Sequence, residues 1–289
     1  LRLGTPLWIG QDFLYLAETL KLWDPQQLQR FDYPSNVEIV RAYRNQQIDV
    51  AAFTSVEAIE VMDTHLNTQV FLINDFSNGN DVIFGQPAIQ SLAALKGRKV
   101  GLEATTFEYY ILARGLSFAG LTPNDVTLVP LAAEEQEAAF RQGQIDGLVT
   151  YDPVRTKLLN SEARLLFDSR KIPGEIADVL ITSTTVMQQR SETLQQLVNA
   201  WFSAIAQFQS QPQSVAKPMA DRQHLTPEAL ISGLKLLHIP DRRENQKLLS
   251  GADSTLSNSL QKLQEVMLQK KLLRRPVDLA QLLTDQYVR

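Results

Sequence analysis

RQGQIDGLVTYDP (141–153) repeats RNQQIDVAAFTSV (44–56). Arg44 and Arg141, Gln47 and Gln144, Ile48 and Ile145, and Asp49 and Asp146 share one offset, 141 − 44 = 97. In both copies a helical stretch stops, an Ile-Asp step follows, and a short apolar run begins: DVAAF (49–53) or DGLVT (146–150). Runs of this length beside turn residues read as strands.

The repeat extends outward. LRLGT (1–5) has a counterpart in RKVGLE (98–103), where Gly4 and Gly101 again differ by 97. Tyr15-Leu16-Ala17 resembles Ile111-Leu112-Ala113 at an offset of 96. Each half therefore offers a strand, a helix, a second helix and a second strand. VFLIND (70–75) and DVIFG (81–85) read as further strands, TFEYYILARGLSFAG (106–120) as a helix stopped by Gly120, and DVTLVPL (125–131) as a strand before helical AAEEQEAAFRQG (132–143). This β-α-β order predicts two similar α/β units with parallel sheets and covering helices. From about Ser191 the pattern turns helical, with Thr226-Pro227-Glu228 as a helix start and QSQPQS (209–214) as a turn. DVIFG (81–85) and DVLITS (178–183) are the expected chain crossings if these last helices return to the first unit.

The bulk numbers narrow the classes. A chain of 289 residues with 44% hydrophobic and 21% charged content suits one large or two modest globular domains. The net charge of −4 offers nucleic acid no basic field. No apolar run approaches the ~18 residues of a membrane span. Absence of cysteine excludes disulfides, Cys-based metal sites and thiol catalysis, and suits an oxidising compartment.

Ligands of open α/β sheets collect beyond the carboxyl ends of strands. In the two halves those ends carry Thr54 and Ser55, and Tyr151 and Asp152. A cleft between two lobes is the expectation that follows.

GTPLWIGQDFLYLAE, RAYRNQQIDVAAFT, FSNGNDVIFG, LAALKGRKVGLE, GLTPNDVTLVPL, GQIDGLVTYDP and IPGEIADVLI resemble periplasmic solute-binding proteins of the nitrate/sulfonate/taurine ABC-transporter type, which include binders of thiamine-pyrimidine precursors. The resemblance covers about residues 1–190. It implies an α/β, two-lobed type II periplasmic-binding-protein clamshell with a helical C-terminal region. Residues 1–83 plus 182–289 would form one lobe, and 84–181 the other. It further implies a small-molecule ligand captured by hinge closure, ABC permease and ATPase partners, and no cofactor. The expected place is periplasmic or extracytoplasmic, with an export or lipoprotein signal ahead of Leu1 and membrane contact only through the permease or a lipid anchor.

Matching the family phrases residue by residue gives Trp8, Gln11, Asp12, Thr54, Asp81, Glu103, Thr105, Thr106, Tyr151, Asp152 and Asp178 as ligand-binding candidates. Trp8 can stack on a flat or cationic ligand or serve as core. Thr54 can touch ligand or simply cap a helix. Thr105 and Thr106 stand where backbone N–H groups at a helix start suit a polar or anionic group. Asp81 and Asp178 stand at the crossings, where they can bind ligand or tie the backbone. The set is rich in acid and holds no Arg or Lys. Carboxylates oppose an anion unless they are paired or turned away. The residues therefore favour a neutral or cationic nitrogenous ligand, an amine or pyrimidine-like ring, with sulfonate or nitrate as the alternative.

Catalytic signatures are absent. GLSFAG (115–120) has the wrong spacing for a nucleophile elbow, and no phosphate-binding glycine loop occurs. His65, His224 and His238 lack zinc-ligand spacing, so no metal is expected. The expectation is binding without covalent chemistry. The alternatives are an enzyme of the menaquinone-biosynthesis type on the same architecture, or a sensing module of a receptor. The end at YVR without a membrane segment favours a free carrier over a sensor.

Overall fold

A computed structural model describes residues 1–63 and 67–289; His65 lies outside them. The first part of the chain runs β1 (Arg2–Pro6), α1 (Asp12–Thr19), β2 (Gln29–Tyr33), α2 (Asn36–Arg44), β3 (Val50–Thr54), α3 (Ser55–Met62) and β4 (Thr68–Ser77). A middle part follows with β5 (Val82–Gly85), β6 (Lys99–Leu102), α4 (Thr106–Ser117), β7 (Thr127–Pro130), α5 (Ala133–Arg141), β8 (Gly147–Thr150), α6 (Val154–Leu159) and β9 (Arg164–Asp168). The last part holds β10 (Ala177–Ser183), α7 (Thr184–Gln189), α8 (Ser191–Ser210), α9 (Pro212–Arg222), α10 (Pro227–Leu234), β11 (Leu237–His238), α11 (Arg242–Leu249), α12 (Ser254–Gln269) and α13 (Leu279–Leu282). The chain divides into two compact units, Leu1–Phe76 with Gly174–Arg289, and Ser77–Pro173.

Each unit is built on one sheet. The first has the order β11-β4-β10-β3-β1-β2 and the second β7-β6-β8-β5-β9. Laid in the same direction, β2-β1-β3-β10-β4 and β7-β6-β8-β5-β9 are one arrangement used twice. β1 runs parallel to β2 and β3, and β6 parallel to β7 and β8. The sheets are mixed rather than parallel throughout, because β10 and β5 run antiparallel to both their neighbours. The physical reason is connectivity. Each is the first strand after the chain changes unit, so no crossover helix brings it in parallel. DVIFG and DVLITS thus lie inside the second and first unit respectively, and the chain changes unit at Phe76/Ser77 and Pro173/Gly174.

The repeated phrase has a physical job in both units. Helix α2 ends with Gln46 at φ 57° and α5 with Gly143 at φ 69°, again 143 − 46 = 97 apart. Gln47 N donates to the Ala42 carbonyl (2.8 Å) and Gln46 N to Tyr43 (2.9 Å); Gln144 N donates to Ala139 (3.1 Å) and Gly143 N to Phe140 (3.1 Å). These are paired Schellman stops, which satisfy the last helix carbonyls and turn the chain back. Asp49 then accepts from the amide of Arg2 (2.7 Å), and Asp146 from that of Lys99 (2.9 Å). Ile48 and Ile145 are buried against the strands so joined. A Cβ added at Gly4 would lie 2.5 Å from Ile48 Cδ1, and one at Gly101 would lie 2.5 Å from Ile145 Cδ1. Glycine in β1 and β6 is what lets that isoleucine sit down on the sheet.

Packing is apolar in both units. Phe84, Phe140, Ile145, Leu148 and Leu158 join one buried cluster in the second. In the first, Phe13 meets Trp201 edge-on at 5.6 Å between ring centres, which ties α1 to α8. Among the described residues no helix is long and apolar enough to cross a membrane.

Candidate ligand-binding site

In the first unit, the carboxyl end of β1 leads through Trp8 into a 3-10 turn, Ile9–Gln11, and then α1. Trp8, Gln11 and Asp12 are all buried. A Cβ at Gly10 would strike the Asp75 carboxylate and lie 2.7 Å from Trp8 Nε1, so only glycine lets this turn close on the end of β4. Gln11 is 3% exposed, and neither atom of its amide has a hydrogen-bond partner. Asp12 points elsewhere. It accepts from Arg222 Nη1 and from Gln223 Nε2 (2.7 Å), both at the end of α9. Burial pushes its carboxyl up to about 7 against the pull of Arg222. Arg222 also bonds Asp32 and the Pro6 carbonyl and lies over the Tyr15 ring, so α9 braces the whole β1–α1 turn.

Thr54 and Asp178 face each other across β3 and β10, and Asp178 faces Asp75 across β4. Pairing then slips by one residue, which leaves Asn74 as an extra residue on β4. Such a bulge re-aims side chains at a sheet end. Asn74 is fully buried, with neither amide atom hydrogen-bonded. Thr54 caps α3 through Val56 N (3.1 Å), while its own amide and hydroxyl donate to Glu57. Burial pushes Glu57 up to about 7.

The second unit offers the equivalent strand ends. Thr105 caps α4 by accepting from Glu108 N (3.2 Å). The Glu103 amide donates to the buried Glu108 carboxyl, which also takes Gln136 Nε2 at 3.2 Å; Thr150 Oγ1 donates on to Gln136 Oε1 at 2.7 Å. Burial holds Glu108 well above the usual carboxylate range and, with Glu134 adding to it, raises half-buried Glu103. Thr105, Thr106 and Tyr151 are half-buried. Asp152 precedes a cis peptide bond to Pro153. Its carboxylate accepts from Thr156 N (2.9 Å), Thr156 Oγ1 (2.7 Å) and Asn80 Nδ2 (3.2 Å). Asp81 is buried beside it, and its amide donates to Ser77 Oγ (3.3 Å). Burial, reinforced by Asp152, pushes Asp81 up to about 7 against Ser77 and Arg155.

The predicted residues therefore form two groups. Trp8, Gln11, Thr54 and Asp178 stand at strand ends of one unit, Asp178 facing Asp75; Asp81, Glu103, Thr105, Thr106, Tyr151 and Asp152 stand at strand ends or helix starts of the other. Asp12 is engaged by α9. Sequence reasoning missed Asn74, Asp75, Asn80, Gln136, Arg155 and Arg222. Asn74, Asp75, Asn80 and Gln136 lie inside phrases already quoted, and Arg155 follows one of them. Arg222 lies 210 residues from Asp12, and no local signal links them.

The aliphatic sulphonate binding protein SsuA of Escherichia coli superposes with a TM-score of 0.81 at 19% identity, covering 100% of this chain and 99% of that one. The desulfurization enzyme DSZB superposes at 0.73 with 18% identity over 99% and 97%. At these identities the likeness concerns the fold, which serves a binding protein and an enzyme alike. Among curated sequences, the taurine-binding periplasmic protein of E. coli K12 is 22% identical over 140 residues, 48% of this chain and 43% of that protein. A putative aliphatic sulfonates-binding protein of the same strain is 35% identical over 81 residues, 28% of this chain and 25% of that protein. The matches thus span less than half the length of either relative. The model of the NMT1-like family matches residues 31–221, and the chain belongs to that family. The fold is the α/β type II binding fold with a helical C-terminal region that the resemblance implied.

Proposed function

We propose that this chain is an extracytoplasmic binding subunit of an ABC importer, and that its ligand is a small sulfonate. Capture would draw on strand-end residues, with no covalent step. Permease and ATPase subunits would be its partners. The observation that carries the choice of ligand is the fate of the acids. Acid content alone favoured a nitrogenous ligand. Yet Asp12 is paired with Arg222, Asp152 is occupied by Thr156 and Asn80, and Asp81 sits near 7. The buried groups without a hydrogen-bond partner include the amides of Gln11 and Asn74, whose N–H donors suit sulfonate oxygens. The names of the relatives point the same way.

An amine remains the second reading, on one observation. Half-buried Glu103 makes no ion pair among the described residues, so its carboxylate is open to a cation. A sulfonate that also carries an amine would use both features. A thermal-shift panel of alkanesulfonates, taurine, nitrate, amines and pyrimidines tests the proposal. A ligand at 100 times its Kd adds about 2.7 kcal/mol and raises Tm by several degrees. A shift with sulfonates is expected; a shift with amines or pyrimidines alone would overturn the sulfonate choice, and turnover would revive the enzyme reading.

A further inference from the structure

Arg155 opens the first turn of α6, just past the carboxyl end of β8. It is 9% exposed. A guanidinium carries five N–H donors, and buried donors are almost always satisfied. Here Nε is buried without a hydrogen-bond partner. The nearest acidic oxygen, Asp152 Oδ2, stands 4.0 Å from Nη1, which is an ion pair without a hydrogen bond.

The surrounding acids do not account for this cation. Asp168 is gripped by Arg170, Nε to Oδ1 at 3.0 Å and Nη2 to Oδ2 at 2.6 Å. Asp152 already accepts three hydrogen bonds from Thr156 and Asn80. Asp81 is close enough to feel Arg155, but burial favours its protonated form. Ordinary structural arginines of this chain look different. Arg30 is almost as buried, and it reaches Glu18 at 2.8 Å, Thr5 at 3.0 Å and Asp32. Arg222 likewise leaves its buried Nε without a partner, yet its Nη groups bond Asp12, Asp32 and the Pro6 carbonyl. A guanidinium matches a tetrahedral oxyanion with two parallel N–H···O bonds and keeps its charge at any working pH.

We propose that Arg155 is the anion-binding group of the second unit, and that it receives the sulfonate headgroup of the ligand. This rests on the sulfonate reading above. It also supplies the positive charge that the strand-end residues lack.

The test combines titration with arginine side-chain NMR of the full chain. The Arg155 Nε–H signal is assigned by its loss in Arg155→Lys. Methanesulfonate is the probe, with inorganic sulfate as a second. The proposal expects the Nε–H signal to shift with methanesulfonate at saturation. It expects Arg155→Gln to weaken binding by about tenfold or more, and Arg155→Lys to restore part of the loss. Circular dichroism checks that both variants fold. If Arg155→Gln binds methanesulfonate as the parent does, or the Nε–H signal stays still while ligand binds, the assignment is overturned and the sulfonate function survives. If the parent chain binds no sulfonate, that function fails. Arg155 is then judged by sulfate alone: a moving Nε–H signal supports the anion site, and a silent one overturns it.

Discussion

The two units solve one problem with different residues. Both stop a helix with a Schellman turn, tether the next strand through Asp49 or Asp146, and seat Ile48 or Ile145 on a strand glycine. They part company at the helix that follows the first strand. There the first unit places Asp12 and the second Glu108, 108 − 12 = 96 apart, the offset already seen in that helix. Both acids are buried and pushed upward by burial. Asp12 is met by an arginine from the C-terminal helices, Glu108 by the Gln136 amide of its own unit. The scaffold is held by the shared residues, while the strand-end chemistry is set by the differing ones.

The sharpest way to break the comparison is at the shared isoleucine. Ile48→Ala and Ile145→Ala should each cost about 2–5 kcal/mol, since both side chains are buried against a strand glycine. Denaturant unfolding of the two variants checks this. A large loss at one position and none at the other would end the claim that the copies do the same work.

A smaller effect is expected from pH. Glu57 lies near 7 in the folded chain, against an ordinary value of 4.5. A carboxyl raised on folding stabilises most below its unfolded pKa, and that contribution fades as pH rises through the folded value. Asp12 and Asp81 act with the same sign. Tm should therefore fall between pH 5 and pH 8, and Glu57→Gln should flatten the fall by a few degrees at the upper end. An unchanged slope in that variant would remove Glu57 from the account.

The smallest effect is at the helix stops. Gln46 holds a left-handed conformation that its counterpart Gly143 holds without strain. Gln46→Gly should stabilise by up to about 1 kcal/mol, and Gly143→Gln should destabilise by a similar amount. Equal and opposite shifts in the unfolding midpoint would confirm that the two stops are equivalent.

Much of the fold was legible because the helix stop, the Ile-Asp step and the strand are local and occur twice. A helix cap at Thr54 was legible in the sequence, and α3 (Ser55–Met62) starts there, with Glu57 closing the capping box. Strands β2, QRFDY, and β9, RLLFD, escaped notice. Both are sheet edges with charged and half-exposed residues, so the apolar signal is weak. The site was legible by residue type but not by partner. Asp12 looks like any strand-end acid until α9 arrives with Arg222. The bulge at Asn74 depends on register with β10, which lies more than a hundred residues away in sequence. Arg155 stood three residues beyond Asp152, yet nothing in the sequence shows that its Nε–H lacks an acceptor.

The most direct test of the functional account is calorimetric titration of the purified chain with a short alkanesulfonate, set against the alkylamine of the same length. The account predicts saturable one-to-one binding of the sulfonate and recovery of the ligand unchanged. Saturation by the amine with no heat from the sulfonate would contradict it.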